Sequence, residues 1–366
     1  MNGSWQPTIA LCALASGACT SMPYKTPVIE AMAPSTAAFK GLRDLSSGKP
    51  LKVLVVHGMC SHDSSWAAKW RRNLEQALAT PAKPRPSPPV GGILTERYDF
   101  VGTQRTIEVT FAIWSSATQW PKISLYYDSP PDFRFKRAKF NAAAKETLIN
   151  DCFADPIIYA GSQGTGSIGA ALRSDMAHLV CGFLGGRWQD DACSGGDAGI
   201  DSAFITESLG SKMLTDAVER VAGNRTGAAD ATRAALSRTR AIYMLANQIP
   251  LLRLADARTT AQSWRLSESE FRWFGPQSRG EEALSAQNRL QLVAFTDPND
   301  QFSYRLTHSS LRETPERVDL FNVIVSNDKT YFGLAENPYT AHVNYWKNPT
   351  VPPLVLYGGR ATPPTR

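Results

Sequence analysis

Hydrophobic runs alternate with amphipathic stretches from residue 51 onward. The first run, LKVLVVHG, is apolar on both faces and ends in glycine, which is typical of a buried parallel strand. The next stretch places Trp66, Trp70, Leu74 and Leu78 at helical spacing and predicts an amphipathic helix. Further strands are predicted at 106–114, 203–207, within 241–252, at 290–297 and at 318–326. Strands separated by helices predict an α/β fold with a mostly parallel central sheet flanked by helices.

Composition divides the chain into unequal segments. Residues 20–48 are rich in Pro, Ser, Thr and Ala, and we interpret them as a flexible tether. Residues 49–360 contain no internal repeat and no second separate core, so we expect one domain there. Residues 361–366 are expected to form a disordered tail. The sequence makes no prediction about oligomeric state.

The net charge of +6 invites a nucleic-acid or membrane partner, but the charge distribution argues against nucleic acid. Lys and Arg total 39 against 33 acidic residues, and no run of five or six like charges occurs. The densest clusters, Arg71–Arg72 and Arg134–Lys139, are interpreted as solvated helix faces, with attraction to anionic lipid as the alternative. The sequence therefore predicts no nucleic-acid partner.

The N-terminus has the layout of an export signal. The apolar stretch Thr8–Ala15 is followed by small residues ending in Cys19, as in a secretory signal peptide. The stretch is too short to span a bilayer, which needs about 20 apolar residues. The small residues before Cys19 resemble a bacterial lipobox, although Ser16 replaces the usual Leu and no Lys or Arg precedes the run. Residues 1–19 therefore predict an exported protein, periplasmic or anchored to a membrane through a lipid on Cys19, with a disordered tail as the alternative.

Four cysteines remain beyond the signal and predict two disulfides in an oxidising compartment. Cys181 and Cys193 flank a Gly-rich loop, and closing it would stabilise the fold by about 3 kcal/mol. Cys60 and Cys152 then pair by elimination. No CxxC pair exists, and the histidines match no zinc pattern, so no metal is predicted.

The segment Thr206–Gly210 lies between a predicted strand and a predicted helix. It resembles the nucleophile elbow G-x-S-x-G of α/β hydrolases, with Thr206 in place of the first Gly. A sharp turn there exposes the Ser208 hydroxyl above the helix N-terminus, which favours negative charge. We expect Gly210 to let the helix pack close to the strand. The main rival elbow surrounds Ser162, in a Gly/Ser-rich stretch with no helix directly after it.

Three further segments extend the resemblance. His57-Gly58-Met59 ends the first strand and resembles the loop that supplies one oxyanion-hole N–H, so the resemblance implies the backbones of Met59 and Leu209 as donors and His57 as structural. Asp300 follows the strand at 290–297, where the fold places the acid, with Asp297 as the alternative acid. The base is assigned to His342, in a segment similar to H-x-x-Y-[FW] of secreted hydrolases. The order Ser, Asp, His is that of α/β hydrolases.

The α/β-hydrolase resemblance implies a serine hydrolase of the esterase or lipase type that acts on a small-molecule or lipid ester without a cofactor. About 150 residues separate Gly58 from Ser208, and the excess within 115–200 is interpreted as a cap. Glu207 beside the nucleophile either modulates the base or pairs with a cation. The alternative function is a non-catalytic envelope lipoprotein of the same fold that acts as a binding module. We expect four aromatic residues to line either an apolar cleft or the core: Trp120, Tyr126, Tyr127 and Phe133.

Overall fold

The computed structural model describes residues 20–362 except 104, 130–133, 162–165, 224–228, 257–268, 270, 277–288 and 312–316. The predicted signal segment, with Cys12 and Cys19, lies outside the described residues. Within the described ranges, no helix combines the length and the hydrophobicity that crossing a bilayer requires.

Fifteen strands are formed by the described residues, and the strands predicted from the sequence correspond to β4, β7 and β10–β13. In chain order they are β1 (Thr20–Ser21), β2 (Val28–Met32), β3 (Ala38–Phe39), β4 (Leu51–Val56), β5 (Ala82–Arg85), β6 (Leu94–Val101), β7 (Thr106–Ile113), β8 (Gly186–Gln189), β9 (Ala192–Gly195), β10 (Asp201–Glu207), β11 (Thr239–Leu245), β12 (Leu290–Thr296), β13 (Val318–Ile324), β14 (Thr330–Tyr331) and β15 (Gly359–Arg360).

Helices connect most of the strands. In chain order they are α1 (Leu42–Leu45), α2 (Ser64–Leu78), α3 (Ser116–Ile123), α4 (Lys139–Ala143), α5 (Ala154–Ala160), α6 (Ile168–Phe183), α7 (Leu209–Ala222), α8 (Asp230–Leu236), α9 (Ile249–Leu252), α10 (His308–Leu311), α11 (Pro338–Val343) and α12 (Val351–Tyr357). A π-helical stretch, Ala144–Phe153, joins α4 to α5 without a break, and we call these three pieces together the insertion helix. Short 3₁₀ turns occupy Tyr126–Asp128 and Arg253–Asp256.

Nine strands form one sheet in the order β2-β13-β12-β11-β10-β4-β7-β6-β5. The six strands from β13 to β7 are parallel, and β2, β6 and β5 pair antiparallel at the edges. Alternate residues of β4 enter different hydrophobic clusters, so helices cover both faces of the sheet. One cluster contains residues of α6 and α7, and the other contains residues of α2 and α12. This architecture confirms the predicted α/β fold with a mostly parallel central sheet flanked by helices.

Two expectations about the ends of the chain were wrong. Part of the segment 20–48, expected to be a tether, is the edge strand β2, which pairs antiparallel with β13. The strand sequence VIEAM has a single polar residue, Glu30, and only Ile29 in it is buried, so its short pattern does not stand out from the Pro- and Ser-rich segment around it. The expected tail at 361–366 begins in ordered structure, since the N–H groups of Ala361 and Thr362 donate to Ala37 and Ile29 carbonyls at 2.8 Å. Residues 363–366 lie outside the described residues.

The segment between β7 and β10 holds most of the predicted insertion. It contains α3, the insertion helix, α6 and the hairpin β8–β9. Both predicted disulfides are present: Cys60 is bonded to Cys152 and Cys181 to Cys193. The first bond links the loop after β4 to the insertion helix, and the second links α6 to β9.

Candidate active site

Ser208 lies at the turn between the fully buried strand β10 and helix α7. Its backbone has φ 52° and ψ −120°. A positive φ is rare for residues other than glycine and persists only where the surroundings fix it. One fixing contact is the hydrogen bond from the Ser208 N–H to the Leu245 carbonyl at 2.8 Å. The turn places the Ser208 side chain at the carboxyl edge of the parallel sheet, where α7 begins.

Two glycines allow backbone segments to approach this turn closely. A Cβ on Gly210 would lie 2.7 Å from the carbonyl oxygens of Val56 and His57, so only glycine lets α7 pack this close to β4. A Cβ on Gly58 would lie 2.7 Å from Cβ of Ser208. The loop after β4 is therefore in direct contact with the serine, as expected for the segment that carries Met59.

Thr206 occupies the position of the missing elbow glycine. Its hydroxyl is fully buried and lies 2.8 Å from the Ser211 hydroxyl on the first turn of α7. A buried hydroxyl with a hydrogen-bond partner avoids the desolvation penalty of an unpaired one. Threonine is therefore accommodated in place of the usual glycine, because its hydroxyl forms a hydrogen bond with Ser211 at the start of α7.

His342 connects Ser208 to a carboxylate. It lies in the short helix α11, and its Nε2 is 3.0 Å from Oγ of Ser208. Its Nδ1 is 2.9 Å and 3.0 Å from the two carboxylate oxygens of Asp300, in the loop after β12. All three side chains are buried, with exposures of 1% for Ser208 and 3% for His342 and Asp300. This chain of hydrogen bonds can hold the imidazole in one tautomer and accept a proton from the hydroxyl.

The structure brings Asp300, and not Asp297, against His342. Asp297 accepts backbone N–H groups from Asn299 at 2.9 Å and from Asn327 at 2.5 Å instead. The two aspartates are joined by a backbone hydrogen bond from the Asp300 N–H to the Asp297 carbonyl at 3.0 Å. Asp297 therefore organises the loop on which Asp300 is carried.

Tyr345 was not singled out by the sequence analysis as a site residue, although it is the Tyr of the segment that carries His342. Its hydroxyl donates to Oδ2 of Asp300 at 2.9 Å and accepts the Asp297 N–H at 2.8 Å. Burial and the neighbouring Asp300 charge hold the pKa of Tyr345 well above its ordinary value, so the phenol stays protonated and remains a donor. The Phe302 N–H also donates to Asp300, at 3.0 Å.

Gln248, just after β11, is a second buried polar residue at the site that the sequence analysis missed. Its amide Nε2 lies 3.4 Å from Nε2 of His342 and 3.9 Å from the Met59 sulfur. Nothing in the local pattern around Gln248 signals this position, because its neighbours come from distant parts of the chain.

Glu207 precedes Ser208 and is buried at the end of β10. Burial raises its pKa to about 7, while His342 and the indole N–H groups of Trp66 and Trp346 act in the opposite direction. The described residues form no ion pair with Glu207. Near neutral pH this carboxyl beside Ser208 therefore exchanges between its protonated and its ionised form.

Two backbone N–H groups in the segments next to Ser208 have no acceptor among the described residues. Among the described residues, the N–H groups of Met59 and Leu209 donate no hydrogen bond to any protein acceptor. Leu209 is the first residue of α7, and Met59 follows the glycine that contacts Ser208. Free N–H groups at a helix start and in an adjacent loop are suited to an anionic oxygen.

His57 has a structural environment. It is fully buried, its Nε2 accepts the Trp114 N–H at 2.9 Å, and its Nδ1 lies 2.7 Å from the Gly58 carbonyl. Burial holds the pKa of His57 well below its ordinary value, so the ring is neutral. The ring thereby fixes the end of β4 against the end of β7.

The insertion helix reaches the site through aromatic contacts. Phe302 stands edge-on to the His342 ring at 5.4 Å between centroids, and Phe153 of the insertion helix packs against Phe302 at 4.9 Å. Other aromatic residues of the insertion were expected in a cleft or in the core, but they are largely exposed. They are Trp120 at 77%, Tyr126 at 48% and Tyr127 at 74%, whereas Phe133 lies outside the described residues.

The rival nucleophile and the remaining residues that could carry chemistry lie elsewhere. Ser162, the rival nucleophile, is outside the described residues. His178 is exposed and stacks on Trp188, and His308 starts α10. A group with metal-ligand spacing combines the side chains of Cys60, Asp151 and Cys152, but the two sulfur atoms are joined in a disulfide and so are not free thiolates.

Comparisons with known proteins give little guidance. No family model matches the chain, and no curated protein matches it. Among solved structures, acetyl xylan esterase 1 from Thermoanaerobacterium sp. JW/SL YS485 aligns with 8% identity over 73% of this chain and 88% of that chain, with a TM-score of 0.18. A likeness at that TM-score carries no argument, so the functional assignment depends on the geometry around Ser208.

Proposed function

We propose that the protein is a serine hydrolase that cleaves carboxylic esters through an acyl-enzyme. The observation that carries the proposal is the continuous chain of hydrogen bonds from Ser208 through His342 to Asp300, with distances of 3.0 Å and 2.9 Å. A serine is a weak nucleophile unless a base within hydrogen-bond reach removes its proton, and the base must itself be oriented by a third group. The hydrogen bonds from Ser208 through His342 to Asp300 meet both conditions.

Each residue has one role in the proposed reaction. His342 Nε2 takes the proton from Ser208 Oγ as the oxygen attacks the ester carbonyl, and the imidazolium is stabilised by Asp300. The N–H groups of Met59 and Leu209 bind the oxyanion that forms on the carbonyl oxygen. The imidazolium then protonates the leaving alcohol. Water attacks the acyl-enzyme with His342 again acting as base, which regenerates the serine.

The substrate is proposed to be a small-molecule or lipid ester. Exposed apolar side chains concentrate around the insertion helix and offer a surface that an acyl chain or a lipid aggregate can contact. The most exposed of them are Phe135 at 79%, Trp120 at 77%, Phe140 at 75%, Tyr127 at 74% and Ile157 at 69%. We further propose that the protein is exported, since two disulfides are typical of oxidising compartments. Lipidation of Cys19 is part of this proposal.

The alternative function, a binding module with an inactive site, predicts a different geometry around Ser208. It would be favoured by a Ser208 Oγ separated from His342 by more than about 6 Å, beyond hydrogen-bond reach. The separation of 3.0 Å favours the hydrolase.

Labelling with a fluorophosphonate probe tests the proposal. We expect the wild-type protein and Ser162→Ala to be labelled and Ser208→Ala to remain unlabelled, because only an activated serine reacts with the probe. Hydrolysis of p-nitrophenyl acetate and longer acyl esters should follow the same pattern. A folded wild-type protein that resists the probe would refute the proposal, and loss of label only in Ser162→Ala would refute the assignment of Ser208.

A further inference from the structure

The loop after β4 is held by side chains of the insertion helix. The Cys60 N–H donates to Oδ2 of Asp155 at 2.7 Å, and the Ser61 N–H donates to Oδ2 of Asp151 at 3.1 Å. The sulfur of Cys60 is bonded to Cys152. Three residues on two adjacent turns of one helix therefore contact two consecutive residues of the loop. We call these contacts the loop clamp.

The backbone of Cys60 needs such support. Its φ is 78°, a left-handed value that is uncommon for a residue with a side chain and that persists where neighbouring contacts impose it. Met59, the residue directly before it, carries the N–H proposed as an oxyanion donor. The Met59–Cys60 peptide group adjoins this φ angle, so a change in the Cys60 conformation would move the main chain of Met59 and, with it, the Met59 N–H of the preceding Gly58–Met59 peptide group.

The carboxylate of Asp155 is kept in place by a buried cation. Asp155 is fully buried, and Oδ1 lies 2.7 Å from Nζ of Lys122, which is only 2% exposed. The same ammonium is 3.3 Å from Oδ1 of Asp151. Burying an ion pair carries a desolvation penalty that often cancels its attraction, so such a pair contributes little to net stability. The arrangement is better explained by the geometry that it gives to the loop.

We infer that Asp155 is a positioning residue for the oxyanion hole and that the Cys60–Cys152 disulfide is the covalent part of the same clamp. The inference rests on the proposed function, because it assigns the Met59 N–H to the oxyanion. An oxyanion donor must lie about 2.7–3.1 Å from the developing charge, and a misplacement of about 1 Å can lower the rate by about 10²-fold. Asp155 and the Cys60–Cys152 disulfide thereby control the position of the oxyanion donor without contacting the reacting atoms.

Matched variants of Asp155 separate positioning from folding. Asp155→Ala removes the acceptor of the Cys60 N–H, whereas Asp155→Asn keeps one carbonyl oxygen in the same place. We expect kcat per fluorophosphonate-titrated serine to fall by about 10- to 100-fold in Asp155→Ala, with KM changed by less than about 3-fold, as for loss of one transition-state contact. Asp155→Asn should recover part of the loss. The inhibition constant of a trifluoromethyl ketone should weaken by the factor by which kcat/KM falls.

The two disulfides provide a second matched pair. Cys60→Ser/Cys152→Ser should lower kcat per titrated serine in the same direction as Asp155→Ala. Cys181→Ser/Cys193→Ser removes a disulfide that joins α6 to β9 and should leave kcat within about 2-fold of wild type, even if the variant unfolds at a lower urea concentration. Titrating the active serine corrects both variants for any unfolded fraction.

A readout independent of activity separates failure of the clamp from failure of the proposed function. Amide hydrogen exchange in the peptide spanning 57–62 should accelerate in Asp155→Ala and in Cys60→Ser/Cys152→Ser, and not in Cys181→Ser/Cys193→Ser. If wild type proves inactive, this exchange pattern still decides whether the clamp holds the loop. Unchanged loop exchange, or a kcat in Asp155→Ala within about 2-fold of wild type, would overturn the inference. If Asp155→Ala does not fold, the cysteine pair decides by the same two criteria.

Discussion

The hydroxyl of Tyr345 lies between the two aspartates of one loop, donating to Asp300 at 2.9 Å and accepting from the Asp297 N–H at 2.8 Å. Tyr345→Phe removes both bonds. Because a hydrogen bond to a charged group contributes about 1.5–3 kcal/mol, we expect kcat to fall by about 10-fold or more and unfolding to require less urea. Ester hydrolysis and urea titration measure the two effects. Tyr357→Phe, which removes a hydroxyl bonded to the distant Ala77 carbonyl, is the control. Equal activity in both variants would contradict this role for Tyr345.

The assignment of the acid predicts unequal effects for the two aspartates. Asp300→Asn should lower kcat by about 10⁴-fold, because an amide stabilises the wrong tautomer of the base. Asp297→Asn should act mainly on stability, since Asp297 accepts backbone N–H groups and does not contact His342. Measuring kcat per titrated serine beside the urea midpoint distinguishes the two effects. The assignment fails if Asp297→Asn has the larger effect on kcat.

The buried carboxyl of Glu207 predicts a pH dependence of stability. Burial raises its pKa from 4.5 in the unfolded chain to about 7 in the folded protein. The folded state therefore retains a proton that the unfolded state releases. The stabilisation is complete below pH 4.5 and is lost as the pH rises through about 7, by roughly 3 kcal/mol.

Glu207→Gln removes this titration while keeping the side-chain shape. Between pH 5 and pH 8, the decrease in the free energy of unfolding should be smaller in Glu207→Gln than in wild type. Urea unfolding at the two pH values measures it. Glu336→Gln is the comparison, since the pKa of Glu336 is also raised to about 7 but its side chain is more exposed. An identical pH slope in wild type and Glu207→Gln would argue against the burial of a proton at this position.

The close contact of Gly58 with the nucleophile predicts a steric effect. In Gly58→Ala the new methyl group would lie 2.7 Å from Cβ of Ser208 and 2.9 Å from the Glu207 carbonyl oxygen, so the loop must shift. We expect fluorophosphonate labelling to slow by about 10²-fold, as for other misplaced catalytic groups. Gly182→Ala, whose methyl group would meet no atom within 4 Å, should label at the wild-type rate. Normal labelling of Gly58→Ala would place the loop further from Ser208 than described.

The sequence was sufficient for the parts of the fold that local patterns encode. The central strands are rich in apolar residues and buried on both faces, and the turn at Ser208 joins a strand to a helix within a few consecutive residues. The edge strand β2 was missed because it pairs on one side and is only partly buried. Local patterns carry little information about such strands.

The site was predictable in order but not in its supporting contacts. The choice between Asp297 and Asp300 stayed open because both lie in one short loop, and the direction of each carboxylate depends on the turn between them. Gln248 reaches His342 across 94 positions of sequence, so no window of neighbouring residues contains the signal. The left-handed backbone of Cys60 is likewise imposed by a helix about 90 positions away.

Ser208 directly precedes α7 and His342 lies in α11, and these two helices are buried to unequal extents. Eleven of the 14 residues of α7 are buried, whereas α11 has six residues of which two, Ala341 and His342, are buried. Short, sparsely packed elements open at lower free energy than the central elements of a domain. Mild denaturation should therefore release His342 while Ser208 is still folded into the sheet edge. The protein would then lose activity at a lower temperature or urea concentration than the one at which its core unfolds, because activity depends on a six-residue helix.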